Sequence, residues 1–268
     1  MNDKIRRGSL LAVASTQVVE FDINNYLTIV ALEDGLTAAL SGNTVEYCVD
    51  GDENWKSLSP NTNTESINKG QTLSFRGNLT PASFKGVGTF TISKSCDLIG
   101  NCNSLLFGDN AKTNLSLNGK NHAFYMLFYN CSTIKNVSSN FLPAKTLAYY
   151  CYQYMFQNCT SLTTAPELPS TTLKPYCYNS MFEGCTSLTT APELPAKTLA
   201  NACYFYMFQR CSKLNYIKAM FITTPSSSYT GSWVSGVASS GTFVKSKNAT
   251  WNVTGPDGIP SGWTVRTA

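Results

Sequence analysis

Residues 151–169 read CYQYMFQNCTSLTTAPELP, and residues 177–195 read CYNSMFEGCTSLTTAPELP. A third copy begins at 203–214 as CYFYMFQRCSKL, and a degenerate earlier one, FYMLFYNCSTI, occupies 124–134. The period is 26: Cys151, Cys177 and Cys203 align, as do Met155, Met181 and Met207. Phe156, Phe182 and Phe208 keep the same step, and so do Cys159, Cys185 and Cys211. The first copy matches through Leu127, Phe128, Cys131 and Ile134, with two extra residues before Leu142-Pro143. A unit of this size cannot bury its apolar face alone, so successive units must stack and share one core.

Within one unit, Leu173, Cys177, Met181 and Cys185 fall four residues apart. That spacing puts them on one face of a helical segment, which Phe182 widens. Leu188 follows, and then Thr189, Thr190, Ala191, Pro192, Glu193 and Leu194 form a short extended piece stopped by Pro195. Proline has no N–H for a ladder, so any strand here is short. The expected fold is therefore mixed. A β-sandwich-like module over 26–108 precedes a leucine-rich-repeat α/β solenoid over 109–217. An N-terminal arm over 1–25 and a C-terminal cap over 218–268 complete the chain.

The flanks support that division. YLTIVAL, TVEYCVD, TLSFRG and GTFTISKS are β-rich runs separated by turn residues, and VEYCVDGDENWKSL reads as a hairpin with Gly51, Asp52 and Glu53 in its loop. Residues 218–268 lack the repeat and carry Trp233, Trp251 and Trp263. A repeat stack needs its last apolar edge covered, and these tryptophans are expected to cover it. Aromatic ligand binding is their alternative use.

Composition narrows the function. Charged residues make up 13% of the chain, about half the usual share of roughly 25%. The polar surface is built from Thr, Ser, Asn and Tyr, a common look for extracellular and virion surfaces. Net charge is +4 and no basic run exceeds Arg6-Arg7, so no phosphate-neutralising stripe for nucleic acid is expected. The start imitates a signal peptide, but its apolar run, Leu10 to Ala14, is five residues long, against roughly 7–15 in a signal peptide. It reads as a non-cleaved arm. No stretch approaches the ~18 apolar residues of a membrane span.

Catalytic groups are hard to assemble. Ser–His–Asp or Cys–His chemistry would need His122, the one histidine, which occupies the place matched by Tyr150 and Tyr176. The repeat cysteines read as two interior rows of reduced thiols packing like small hydrophobes. Eight residues of helix would separate the two in a unit too far for a disulfide. No CxxC pair exists, so no metal or other cofactor is expected. Cys48, Cys96 and Cys102 lie outside the copies. Cys96 and Cys102 could bridge, though free thiols are the simpler reading. Glu167 and Glu193 are equivalent residues of adjacent coils. They form either a glycosidase-like carboxylate pair or, more simply, solvated residues repeated with the unit. The Gly-rich GVGTF precedes a strand and is no phosphate loop. The chain reads as non-enzymatic.

What remains is a surface. Thr163, Thr189 and Asn215 align, as do Thr164, Thr190 and Tyr216, with Glu167 and Glu193 completing a polar, nearly flat patch. These eight residues are the candidate ligand-binding site. Tyr152, Tyr178 and Tyr204, extended by Phe124, make a second row, expected to pack between coils with hydroxyls at the surface.

The string MFxxCTSL followed by an apolar-Pro strand resembles the BspA-like leucine-rich repeats of Bacteroidales surface proteins, with similar arrays in phages of those bacteria. The likeness covers about 124–217 and is weaker over 26–108 and the tail GTFVKSKNATWNVTGPDGIPSGWTV. It implies surface display and adhesion, with a host-surface glycan or protein as partner and no catalytic residues. Exported bacterial members carry a leader that this start does not show, which favours a phage fibre or decoration component over a cell-surface adhesin. In that role the arm would grip other virion or surface proteins, and the chain would form a homo-oligomer. A purely structural assembly protein is the alternative.

Overall fold

The computed structural model describes residues 21–268. The expected arm over 1–25 thus lies outside the described residues, apart from 21–25. There Asp22 caps a short 3-10 turn, Ile23–Asn25, by accepting the Asn24 N–H.

The first part is built from strands β1 (Leu27–Ala31), β2 (Ala38–Leu40), β3 (Val45–Val49), β4 (Lys56–Leu58), β5 (Thr72–Arg76), β6 (Phe90–Ile92) and β7 (Cys96–Gly100). β3 and β4 are the hairpin read from the sequence, with Val45 opposite Leu58. A single helical turn, α1 (Ser104–Phe107), follows, and β8 (Ile134–Val137) lies in the first repeat copy. After the copies come β9 (Tyr216–Ala219), a second helical turn α2 (Ser227–Thr230), β10 (Thr242–Lys245) and β11 (Thr264–Thr267). One sheet runs β4-β3-β5-β1-β7-β8, a second β11-β10-β9, and β2 pairs with β6. β1 is central and covered on both faces, so even Thr28 is inside, its hydroxyl satisfied by Ser74 at 2.8 Å.

The α/β leucine-rich-repeat solenoid expected from the sequence is not what the chain forms. The described residues are mostly sheet and turn in several sheets, and their only α-helices are α1 and α2, four residues each. Backbone geometry rules a helix out of the repeat segments. Positive φ recurs every fourth residue, at Tyr150, Tyr154 and Asn158, then Tyr176, Ser180 and Gly184, then Ala202, Tyr206 and Arg210. A right-handed helix has no place for such residues. Odd-numbered residues close tight turns, with the Met155 N–H donating to Tyr152 O at 3.2 Å and Gln157 to Tyr154 O at 3.1 Å. Even-numbered residues donate outward to the next copy: Tyr152 to Cys177 O at 3.0 Å, Phe156 to Met181 O at 2.9 Å, Asn158 to Glu183 O at 2.7 Å. This chain of turns has a period of four. It therefore writes the same i, i+4 apolar pattern as a helix.

Along the copies, side chains meet their equivalents. Phe90, Phe128, Phe156, Phe182 and Phe208 form one column, with ring centroids 5.5, 5.5, 5.7 and 5.9 Å apart. Phe124, Tyr152, Tyr178 and Tyr204 form another at 5.7, 5.7 and 6.0 Å. Each stacked pair adds about 0.5–1.5 kcal/mol beyond burial. The tyrosines of this column are wholly inside, which corrects the expectation of surface hydroxyls. Residues 152 and 156 turn inward while the left-handed 150, 154 and 158 between them turn out. Trp233 ends both columns, 6.3 Å from Tyr204 and 6.1 Å from Phe208.

All ten cysteines are buried and free, so Cys96 and Cys102 do not bridge. Burial pushes Cys151, Cys203 and Cys211 up to about 12 and raises Cys159, Cys177 and Cys185 well above the ordinary thiol value. They are inert as nucleophiles in the folded chain.

Candidate functional site

The edge-on face of the parallel strands carries the sequence-selected residues. Asp97 pairs with Asn136, and Asn136 bridges to Thr164. Thr190 bridges to Tyr216, Tyr216 pairs with Thr242, and Thr242 with Thr264. In a parallel ladder such partners stand side by side, strand after strand at ~4.8 Å. The structure brings Thr164 to Asn136 and Thr190 to Tyr216. No backbone hydrogen bond joins Thr164 to Thr190, so the row has a break in its middle.

Thr163, Thr164, Thr189, Thr190, Asn215, Glu167 and Glu193 are all exposed, and Tyr216 is half-buried. The two halves of the row differ in their bonding. Thr163 and Thr164 both donate to Asn136 Oδ1, at 2.8 and 3.0 Å, and the Asn136 amide donates to Asp97 Oδ1 at 2.9 Å. This half is tied to itself. The side chains of Thr189, Thr190, Asn215 and Tyr216 have no hydrogen-bond partner within the described residues, so their donors and acceptors face solvent unspent. Glu193 accepts from Lys218 at 2.9 Å while Glu167 has no cationic partner there. The two glutamates, with Leu168, Pro169 and Pro195, line a shallow groove of about 400 Å³.

Asp97, Asn136, Thr242 and Thr264 extend the row beyond the residues chosen from sequence. One signal for them was present. Counting a further 26 from Tyr216 lands on Thr242, although the repeat consensus has ended by then.

His122 lies inside an aromatic stack, 4.5 Å from the Phe84 ring and 4.7 Å from Tyr150, parallel to the latter within 3°. Its Nε2 has no partner, and burial lowers its pKa, holding the ring neutral. Neither a carboxylate nor a thiol hydrogen-bonds it. Among the described residues no group of three or more His, Cys, Asp or Glu could hold a metal. No helix there is long and apolar enough to cross a membrane.

No family model, curated protein or solved structure matches the chain. The likeness to BspA-like repeats rests on the quoted residues alone.

Proposed function

We propose that this chain is a non-catalytic recognition protein that holds a glycan along its strand row. The observation that carries this reading is the unspent half of the row, in which Thr189, Thr190, Asn215 and Tyr216 stand exposed or half-exposed on neighbouring strands. Hydroxyl and amide groups at a regular spacing suit a polymer of hydroxylated rings. An interface for another protein would favour aromatic anchors at its centre. Each contact is weak, so useful adhesion comes from several copies displayed together on a virion or cell surface.

Glycan-array binding by the full chain, lost on Thr190→Lys, is the expected result. An array without a hit, or hits untouched by Thr190→Lys, overturns it. Hydrolysis of a bound glycan that stops on Glu167→Gln or Glu193→Gln would instead make that pair a glycosidase site.

A structural assembly role is the second reading, and β11 favours it. All four of its residues are exposed, and one edge of the strand is unpaired. Such an edge invites pairing with another chain. Sedimentation showing an oligomer that Val265→Pro dissolves would support it.

A further inference from the structure

Phe84 combines two features that packing does not explain. Its ring is 61% exposed, and its backbone sits at φ 54°, a region that is strained for a bulky residue. The loop that holds it is rigid. Ala82 and Gly86 exchange backbone hydrogen bonds at 2.9 Å in both directions. A Cβ on Gly86 would come within 2.9 Å of the His122 and Tyr125 backbones, and one on Gly88 within 1.9 Å of Ser41 O. Only glycine lets these segments close up, and the close approach fixes Phe84 over the His122 ring.

Beside it opens a cleft of about 420 Å³, bounded by the Ser41–Asn43 turn, Thr80, Thr89 and Tyr125. The Tyr125 ring stands edge-on to Phe84, with centroids 6.3 Å apart. The Ser41 Oγ accepts the Thr89 N–H at 2.9 Å, leaving its proton to donate. The hydroxyls of Thr80 and Thr89 have no partner among the described residues. Asn43 donates to Val87 O at 3.2 Å, with its carbonyl oxygen unspent. Lys85 is the single charged residue lining the cleft, and it makes no salt bridge within the described residues. An exposed aromatic face, four polar side chains and one uncompensated cation converge on a space the size of a small ligand.

We propose that this cleft binds an acidic sugar residue. The ring lies against Phe84, the carboxylate on the Lys85 ammonium, and the hydroxyls among Ser41, Asn43, Thr80 and Thr89. The site shares no residue with the strand row and stands or falls without it.

The test is saturation-transfer NMR and titration of the full chain with glucuronate and with N-acetylneuraminate, with glucose as the neutral control. Binding of at least one acid is expected, weakened by added salt and lowered on the order of tenfold by Lys85→Gln. Phe84→Gly should abolish contact while the melting temperature holds or rises, because glycine adopts this φ without strain. Failure of both acids, equal binding of glucose, or retained binding in Phe84→Gly overturns the proposal.

Discussion

The Cys185 thiol donates to the carbonyl of Phe156, one copy back, at 3.1 Å. Cys159 does the same to Phe128 at 3.2 Å and Cys211 to Phe182 at 3.0 Å. Each of these carbonyls also takes one backbone N–H, from Cys159, Cys131 and Cys185 respectively, at 3.1 Å. The sulfur therefore fills the second lone pair of a buried oxygen and ties neighbouring layers where the backbone has no donor left. A small, apolar side chain with a weak donor meets this need, and the cysteine recurs with the copy.

Cys185→Ala should cost about 1 kcal/mol in urea unfolding, from a small cavity and one weak hydrogen bond. The Phe156 carbonyl keeps its N–H partner, so a larger loss would mean the thiol contributes more than packing and one bond. No loss would mean the sulfur contact is incidental.

The thiol columns also set an alkaline limit. Burial raises the folded thiols from 9.0 to about 12 at Cys151, Cys203 and Cys211, and raises the hydroxyls of Tyr152, Tyr178 and Tyr204 well above 10.0. Above the unfolded thiol value, the unfolded chain has lost protons that the folded chain still holds, so stability falls as pH rises. The stabilisation is complete below pH 9 and lost progressively up to about 12. Melting temperature followed across this window should be flat at first and then drop steeply. A thiol reagent should react with the native chain only as it unfolds. Rapid labelling at neutral pH would contradict the burial.

Ala202 and Gly184 test the left-handed positions directly. Ala202 sits at φ 48° with its methyl buried. Ala202→Gly removes strain of about 1–2 kcal/mol, partly offset by the entropy of glycine in the unfolded chain. A rise in stability of up to about 1 kcal/mol is expected. At Gly184, φ 73°, an added Cβ would meet Asn158 Oδ1 at 2.3 Å. Gly184→Ala should destabilise by about 1–3 kcal/mol. A helical segment would respond in the opposite sense at both sites, so chemical unfolding of the pair separates the two conformations.

That contrast shows what was legible and what was not. The copies, the residues that stack from one to the next, and the covering role of Trp233 follow from the period of 26 and the need to hide each apolar edge. The conformation inside a copy does not follow, because a four-residue chain of turns and a helix place apolar residues alike. One clue was present. Asn130, Asn158 and Gly184 each stand just before a repeat cysteine, and these residue types tolerate positive φ. Tyr150, Tyr154 and Tyr206 adopt it with no such signal, held there by hydrogen bonds to the next copy. The same blindness hid the row beyond Tyr216, since Thr242 continues a geometry whose consensus has lapsed.

Trp233 should be the most sensitive position of the C-terminal region. It is fully buried, its indole donates to Gly258 O at 2.9 Å, and it closes both aromatic columns. Trp233→Ala leaves a large cavity and an unpaired carbonyl, for an expected loss of about 3–5 kcal/mol in urea unfolding. A change near 1 kcal/mol would mean the columns end without it.

The two halves of the strand row should differ in binding. Thr190→Ala together with Tyr216→Phe removes two hydroxyls that have no partner in the chain and keeps the outline of the surface. Each lost ligand hydrogen bond is worth about 1 kcal/mol, so the pair should weaken a glycan hit by about 2 kcal/mol, roughly thirtyfold. Exposed positions of this kind change stability within about 0.5 kcal/mol, so an unchanged melting temperature accompanies the loss. Thr164→Ala removes a hydroxyl already committed to Asn136 and should weaken binding severalfold at most. Multivalent display would magnify the difference and monomeric titration would show it plainly. Equal losses from the two variants would mean that the ligand does not distinguish a satisfied hydroxyl from a free one. The row would then be acting through shape instead of hydrogen bonding.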